Sequence, residues 1–192
     1  PLIFKLFADQ DDQTSSNCTN FMCSYLDFVK RSYKDPNKEV NLFKPILDVI
    51  RRKLRFTDDF NFDGLKQDEY ESGFLEYRRE LVTIFGNLTQ IAPILVKQYV
   101  HACLTSTLQN LQNLHFAEVE VDLTLFYNMG EKLSAEANNP KNEFFPPAFF
   151  TIVASRKFNF SLEKTTVLTK HLKKKPFATL TMNVCALCTL TF

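Results

Sequence analysis

The sequence predicts an all-α fold of antiparallel helix hairpins stacked in series. Two observations carry this: three amphipathic helix patterns between residues 69 and 136 are joined by almost nothing, and only 4 glycines occur in 192 residues. The first pattern, over 69–92, repeats Phe74, Tyr77, Leu81, Phe85, Leu88 and Ile91 every three or four residues, which puts one apolar stripe on one helix face. Pro93 breaks that pattern and is suited to open the next helix, because its missing N–H is not needed at a helix start. The second pattern, over 93–111, carries Leu95, Tyr99, Cys103 and Leu108, and the third, over 116–136, carries Val119, Leu123, Phe126, Met129 and Leu133. Connections this short force neighbouring helices to lie antiparallel. A hairpin too thin to bury its own stripe needs neighbours, and serial hairpins without strands mark an α-solenoid.

The style continues upstream. Ser15 or Ser16 is placed to cap a helix reaching Ser32, with Phe21, Tyr25, Phe28 and Val29 on its inner face. Asp35-Pro36-Asn37 is turn chemistry, and a further helix is expected over 38–54 with Phe43, Ile46, Leu47 and Ile50 as its stripe. Pro45 should kink that helix or mark its beginning, since a regular interior proline costs about 3 kcal/mol. Residues 2–7 read as the end of an apolar helix; with Pro1 in place of a starting Met, the chain is expected to be a piece of a longer protein.

Composition narrows the function classes. No run approaches the roughly 18 apolar residues that membrane insertion needs. Five cysteines, Cys18, Cys23, Cys103, Cys185 and Cys188, are odd in number and irregularly spaced, which favours reduced thiols over a disulfide framework. There is no Gly-rich phosphate loop, nucleophile elbow or His-Glu metal helix, so an enzyme reading is rejected and no cofactor or metal is expected. His101 and His115 lack ligands at convincing spacing, and the sequons at Asn17, Asn87 and Asn159 are set aside as chance tripeptides.

Net charge divides the chain. Residues 1–140 contain 15 Lys plus Arg against 20 Asp plus Glu, a balance of −5, whereas 141–192 contain 8 against 2, a balance of +6. The domain reading follows: 1–137 is a helical-repeat segment and 138–192 an aperiodic, basic, Phe-rich tail. That tail opens on Glu143-Phe144-Phe145-Pro146-Pro147-Ala148-Phe149-Phe150, continues to Lys170, His171, Lys173, Lys174 and Lys175, and ends near the lone pair Cys185 and Cys188. Short strands, a nuclear-localisation-like basic run and half a zinc or redox site are all open readings. A non-native or poorly ordered end is preferred, because agreement between pattern, caps and turns stops there.

Two clusters are candidate contact sites. Arg51, Arg52, Lys53 and Arg55 close the 38–54 helix, and Lys97 lies on the 93–111 helix. A basic helix end can grip phosphates, or it can merely satisfy its own last carbonyls and the negative end of its dipole. Ile50 and Leu54 belong to the stripe, so Arg51, Arg52 and Arg55 cannot all point one way. Between 57 and 71 stand Asp58, Asp59, Asp63, Asp68, Glu69 and Glu71 with only Lys66 opposed; this acidic loop docks on a basic partner, or competes with phosphates for a basic groove, or is solvated surface whose last acids complement the following helix. Phe60, Phe62 and Tyr70 point to an ordered loop. Arg78 and Arg79 are expected to pair locally with Glu76 and Glu80.

The run Lys53-Leu54-Arg55-Phe56-Thr57-Asp58-Asp59-Phe60-Asn61-Phe62, then Glu76-Tyr77-Arg78-Arg79-Glu80-Leu81, Ser106-Thr107-Leu108-Gln109-Asn110, Glu118-Val119-Glu120-Val121 and Leu125-Phe126-Tyr127, is collinear with the middle of one receptor family. Over about 1–136 the chain resembles the exportin-T family, the tRNA exportins within karyopherin-β, and it does so in polar and charged identities as well as apolar pattern. The resemblance is lost from about 138. It implies a right-handed superhelix of HEAT repeats, in which 38–54 and 93–111 would be the inner helices of the concave surface. It implies a monomeric nuclear export receptor that binds tRNA together with Ran-GTP, meets nuclear pore proteins, and shuttles between nucleus and cytoplasm. A protein-binding HEAT scaffold and a β-karyopherin with protein cargo are the alternatives.

Overall fold

Seven helices follow one another in the computed structural model, which describes residues 2–32, 34–35, 40–57, 60, 69–110 and 114–133. They are α1 (Leu2–Phe7), α2 (Asp12–Ser16), α3 (Thr19–Ser32), α4 (Val40–Leu54), α5 (Glu69–Ile91), α6 (Pro93–Gln109) and α7 (Phe116–Lys132). No strand occurs among the described residues. The tail reading for 138–192 lies outside them.

α5 is the element the others are built on. Every member of its expected stripe, Phe74, Tyr77, Leu81, Phe85, Leu88 and Ile91, is buried. Ile84, Gly86 and Thr89 are buried too, so the helix is covered on more than one side. The contacts explain why: α3, α5 and α7 pack in series, and α4 and α6 pack against α5, against α7 and against each other. Two layers of helices result, an all-α stack of the HEAT type, with α4 and α6 in the layer that the resemblance makes inner.

Local chemistry sets the turns. α5 passes to α6 through Ala92 alone, a buried residue with φ −130° and ψ 63°. Its N–H donates to the Leu88 carbonyl at 2.8 Å and its own carbonyl accepts from Val96 N–H at 3.0 Å, so neither backbone group is orphaned in the core. Pro93 follows as the first residue of α6. In α4 the stripe Phe43, Ile46, Leu47 and Ile50 is buried as expected and Leu54 joins it. Pro45 does not mark a helix start, for α4 already begins at Val40. It lies on the exposed face, where water can meet the carbonyl whose donor the ring removes.

The N-terminal region departs from expectation in two ways. Neither Ser15 nor Ser16 caps the helix reaching Ser32, because both lie inside the short α2, whose own cap is Asp11: its carboxylate accepts from Thr14 N–H at 2.9 Å and Gln13 N–H at 3.4 Å. The hydrogen bonds from the Thr14 hydroxyl and N–H hold this exposed carboxyl below its ordinary range. Ser15 is instead buried, donating to the Phe7 carbonyl at 2.6 Å and sharing a 2.5 Å hydrogen bond with the Tyr77 hydroxyl of α5. The second departure is the face of α3. Met22, Leu26 and Val29 are buried, whereas Phe21 is 50% and Phe28 57% exposed. The rows 21-25-28 and 22-26-29 are equally periodic and one residue apart on the helix. The slimmer aliphatic row packs into the core, while Tyr25 turns its edge to Phe4 of α1 at 5.5 Å and stacks with Phe21 at 6.5 Å.

Candidate functional site

The start of α7 carries an acid at every second position, Glu118, Glu120 and Asp122, with Val119 and Val121 between them. A helix turns about 100° per residue, so Glu118 and Asp122 share a face while Glu120 looks another way. Because Val119 and Val121 are buried as well, this half of the helix is enclosed by protein. Its acids therefore need cations inside the fold.

α4 supplies two of them. Arg51 Nε donates to Asp122 Oδ1 at 2.6 Å and its Nη2 to Oδ2 at 3.1 Å, a bidentate fork on a carboxylate with no exposed surface. The Thr107 hydroxyl of α6 donates to the same Oδ2. One turn toward the start of α7, Glu118 accepts from Arg55 Nε and lies 3.9 Å from Arg51 Nη2. Its side chain is 29% exposed, and those of Arg51 and Arg55 are 31% and 30% exposed. The hydrogen bond to Asp122 pushes the Arg51 guanidinium above its ordinary range, so it stays charged. Burial likewise pushes up the Tyr99 hydroxyl and the Cys103 thiol beside this corner, which favours their neutral forms.

α5 supplies the third cation. Arg78 was expected to pair locally, and it does not: its Nη2 donates to Glu120 at 2.9 and 3.1 Å, and its guanidinium lies 3.8 Å over the ring of Phe56. Its Nη1 is buried without a hydrogen-bond partner among the described residues. Arg79 behaves as expected and meets Glu76 at i,i+3.

The basic cluster thus divides between destinations. Arg51 and Arg55, a turn apart, face α7. Lys53 points the other way to Asp12 of α2 at 2.8 Å, nearly buried and 5.9 Å from the Tyr77 ring centre. Arg52 is exposed and donates to the Ala8 carbonyl at 2.9 Å. Lys97 is half-buried on α6. Of the acidic loop, Asp58, Asp59, Asp63 and Asp68 lie outside the described residues, as does Phe62. Glu69 and Glu71 sit in the first turn of α5, where they complement its dipole. Phe60 packs 4.5 Å from Phe56 and 5.9 Å from Phe74, while Tyr70 is exposed.

Arginine forks on buried carboxylates hold helices in position. The described residues contain no group of three or more potential metal ligands, and none of their helices is long and apolar enough to cross a membrane. Fold and corner together define a helical-repeat segment of the HEAT class, in which ion pairs tie α4 and α5 to α7. The Exportin-T family model matches residues 1–149, and the chain belongs to the exportin-T family. Exportin-T of Danio rerio is 33% identical over 135 residues, 70% of this chain and 14% of the relative. Exportin-T of Homo sapiens is 33% identical over 132 residues, with 69% and 14% covered, and that of Arabidopsis thaliana 22% over 141 residues, with 71% and 14%. The chain therefore spans about 14% of the length of these relatives, and the family match runs past residue 137 into the stretch assigned to the tail. No solved structure matches the chain.

Proposed function

We propose that this chain is a segment of a nuclear export receptor that helps to hold tRNA together with Ran-GTP, meets nuclear pore proteins, and shuttles between nucleus and cytoplasm. The observation that carries this reading is the exportin-T family match over 1–149. Exposure on the α4–α6 layer supports it: Arg52 and the outer edges of Arg51 and Arg55 reach solvent, with Lys97 on the neighbouring helix. A basic helix end of this kind binds phosphate chiefly through charge, with affinity that falls steeply as salt rises. Lys53, nearly buried on Asp12, contributes to this surface through the position of α4 more than by contact. The acidic stretch Asp58, Asp59, Asp63, Asp68, Glu69 and Glu71 is suited to a basic protein partner, and Ran is the candidate.

The test is fluorescence anisotropy of labelled mature tRNA titrated with the full-length protein, with and without Ran loaded with a non-hydrolysable GTP analogue. The reading expects tight binding only when Ran is present, and by linkage tRNA should then tighten Ran binding by the same factor. Absence of tRNA binding in both conditions overturns it.

A further inference from the structure

We propose that Glu118 is a built-in competitor for phosphate at the fork made by Arg51 and Arg55, so that a polyanion must displace its carboxylate before it can use both arginines. The proposal rests on the tRNA-binding reading and adds a specific gate to it.

Glu118 and Asp122 face the same two arginines but are held very differently. Asp122 is fully buried, accepts from Arg51 twice and from Thr107 once, and cannot leave without stranding a charge in the core. Glu118 is at the rim. It makes one close contact with Arg55 and a loose one, at 3.9 Å, with Arg51. At 30% and 29% exposure this pair is open to water on one side and far less desolvated than Asp122, so another anion exchanges for Glu118 more readily than for Asp122.

The fork is suited to what would replace it. Asp122, itself held by Thr107, already fixes the Arg51 guanidinium, so Arg51 loses little further rotamer freedom when an anion arrives. Arginine forks meet phosphate oxygens in charge-assisted pairs stronger than neutral hydrogen bonds. Glu118 also occupies the first turn of α7, a 17-residue helix, where the dipole favours negative charge of either source. With Glu118 in place the four side chains are neutral in sum, two arginines against two carboxylates. Loss of its charge moves these four side chains one unit toward positive.

The experiment compares Glu118→Gln with Glu76→Gln, an equal change in net charge at an exposed pair on α5. Binding of mature tRNA with the GTP-loaded Ran, and of heparin alone, is followed across a salt series, after circular dichroism has shown that both variants are folded. The proposal expects Glu118→Gln to bind several-fold more tightly with a salt slope steeper by about one, Glu76→Gln to leave both unchanged, and Arg55→Ala in the Glu118→Gln background to remove the gain. Equal behaviour of the two Gln variants, with tRNA still bound by the wild type, overturns the gate and leaves the tRNA reading standing. A gain toward heparin confined to Glu118→Gln, with no tRNA binding by any form, supports the competitor and overturns the tRNA reading.

Discussion

The two halves of α7 meet the rest of the protein in opposite ways. In the first half, Glu118, Glu120 and Asp122 are matched to arginines from α4 and α5, with Thr107 of α6 as a further donor. In the second half and just beyond it, Leu125, Met129 and Leu133 enter the same apolar core as Phe85 and Leu88 of α5 and Val100 and Leu104 of α6. The apolar half gains stability from burial, which is nearly indifferent to direction. The ionic half gains little net stability, because each desolvated charge offsets its partner's attraction, but a bidentate fork is satisfied at one distance and one angle. One end of the helix thus holds, and the other end orients. In a solenoid the angle between successive helices accumulates along the stack, so an orienting contact matters to the shape presented to a partner.

The largest effect expected is at the ionic end. Glu120→Ala strands the nearly buried Arg78 and should cost about 3–5 kcal/mol in urea unfolding. A loss near zero would mean that this corner contributes nothing the apolar half does not supply. At the other end Met129→Ala should cost about 2–5 kcal/mol, and that loss should be the same at low and high salt, since no charge is involved. A salt-dependent loss there would erase the distinction between the halves. Replacing a buried pair whole is different from breaking it: Arg78→Met with Glu120→Leu is expected to leave stability unchanged or raise it by about 1–4 kcal/mol. If the two ends differ as described, the same double variant should loosen the α5–α7 angle, read as a changed scattering profile at unchanged helix content. The smallest effect is expected at Gly86, where a Cβ would lie 2.6 Å from Cε of Lys132, the far end of a flexible side chain. That chain can swing away, so Gly86→Ala should be neutral or stabilising by up to about 1 kcal/mol, the helix-propensity difference, in thermal unfolding. A large loss would show that Lys132 is tightly held and that the apolar half also depends on a polar anchor.

Much of this was legible locally. The stripes of α4 and α5 were legible residue by residue, because their apolar positions recur at three- and four-residue steps without a break, although Ile84 is buried on a further side of α5. The stripe of α6 was read less well: Leu95 is buried as expected, but Val96, Val100 and Leu104 complete the core while Tyr99 and Cys103 are half-buried. That helix is apolar over much of its circumference, so periodicity alone could not choose a face. In α3 Val29 is buried as expected, but Phe21 and Phe28 are exposed for a related reason. This helix has two adjacent rows, one aromatic and one aliphatic, and only the shape of the neighbouring helices picks between them.

The destinations of the charges were the least legible. Arg51 and Asp122 are 71 residues apart, and no spacing rule connects them. A signal did exist in the acids of α7: alternating carboxylates around a helix that is also apolar imply that some are enclosed, and enclosed carboxylates require cations. The sequence by itself determined the all-α hairpin class, the extents of α4 and α5 and the role of Pro93, because periodicity, proline geometry and short connections act within a few residues. Tertiary structure alone decided which row of α3 is inside, that Ser15 would bind Tyr77 instead of capping a helix, and which arginines brace α7 and which reach solvent. Those outcomes depend on what lies opposite each side chain, and burial and charge pairing are properties of neighbours in space, not in sequence.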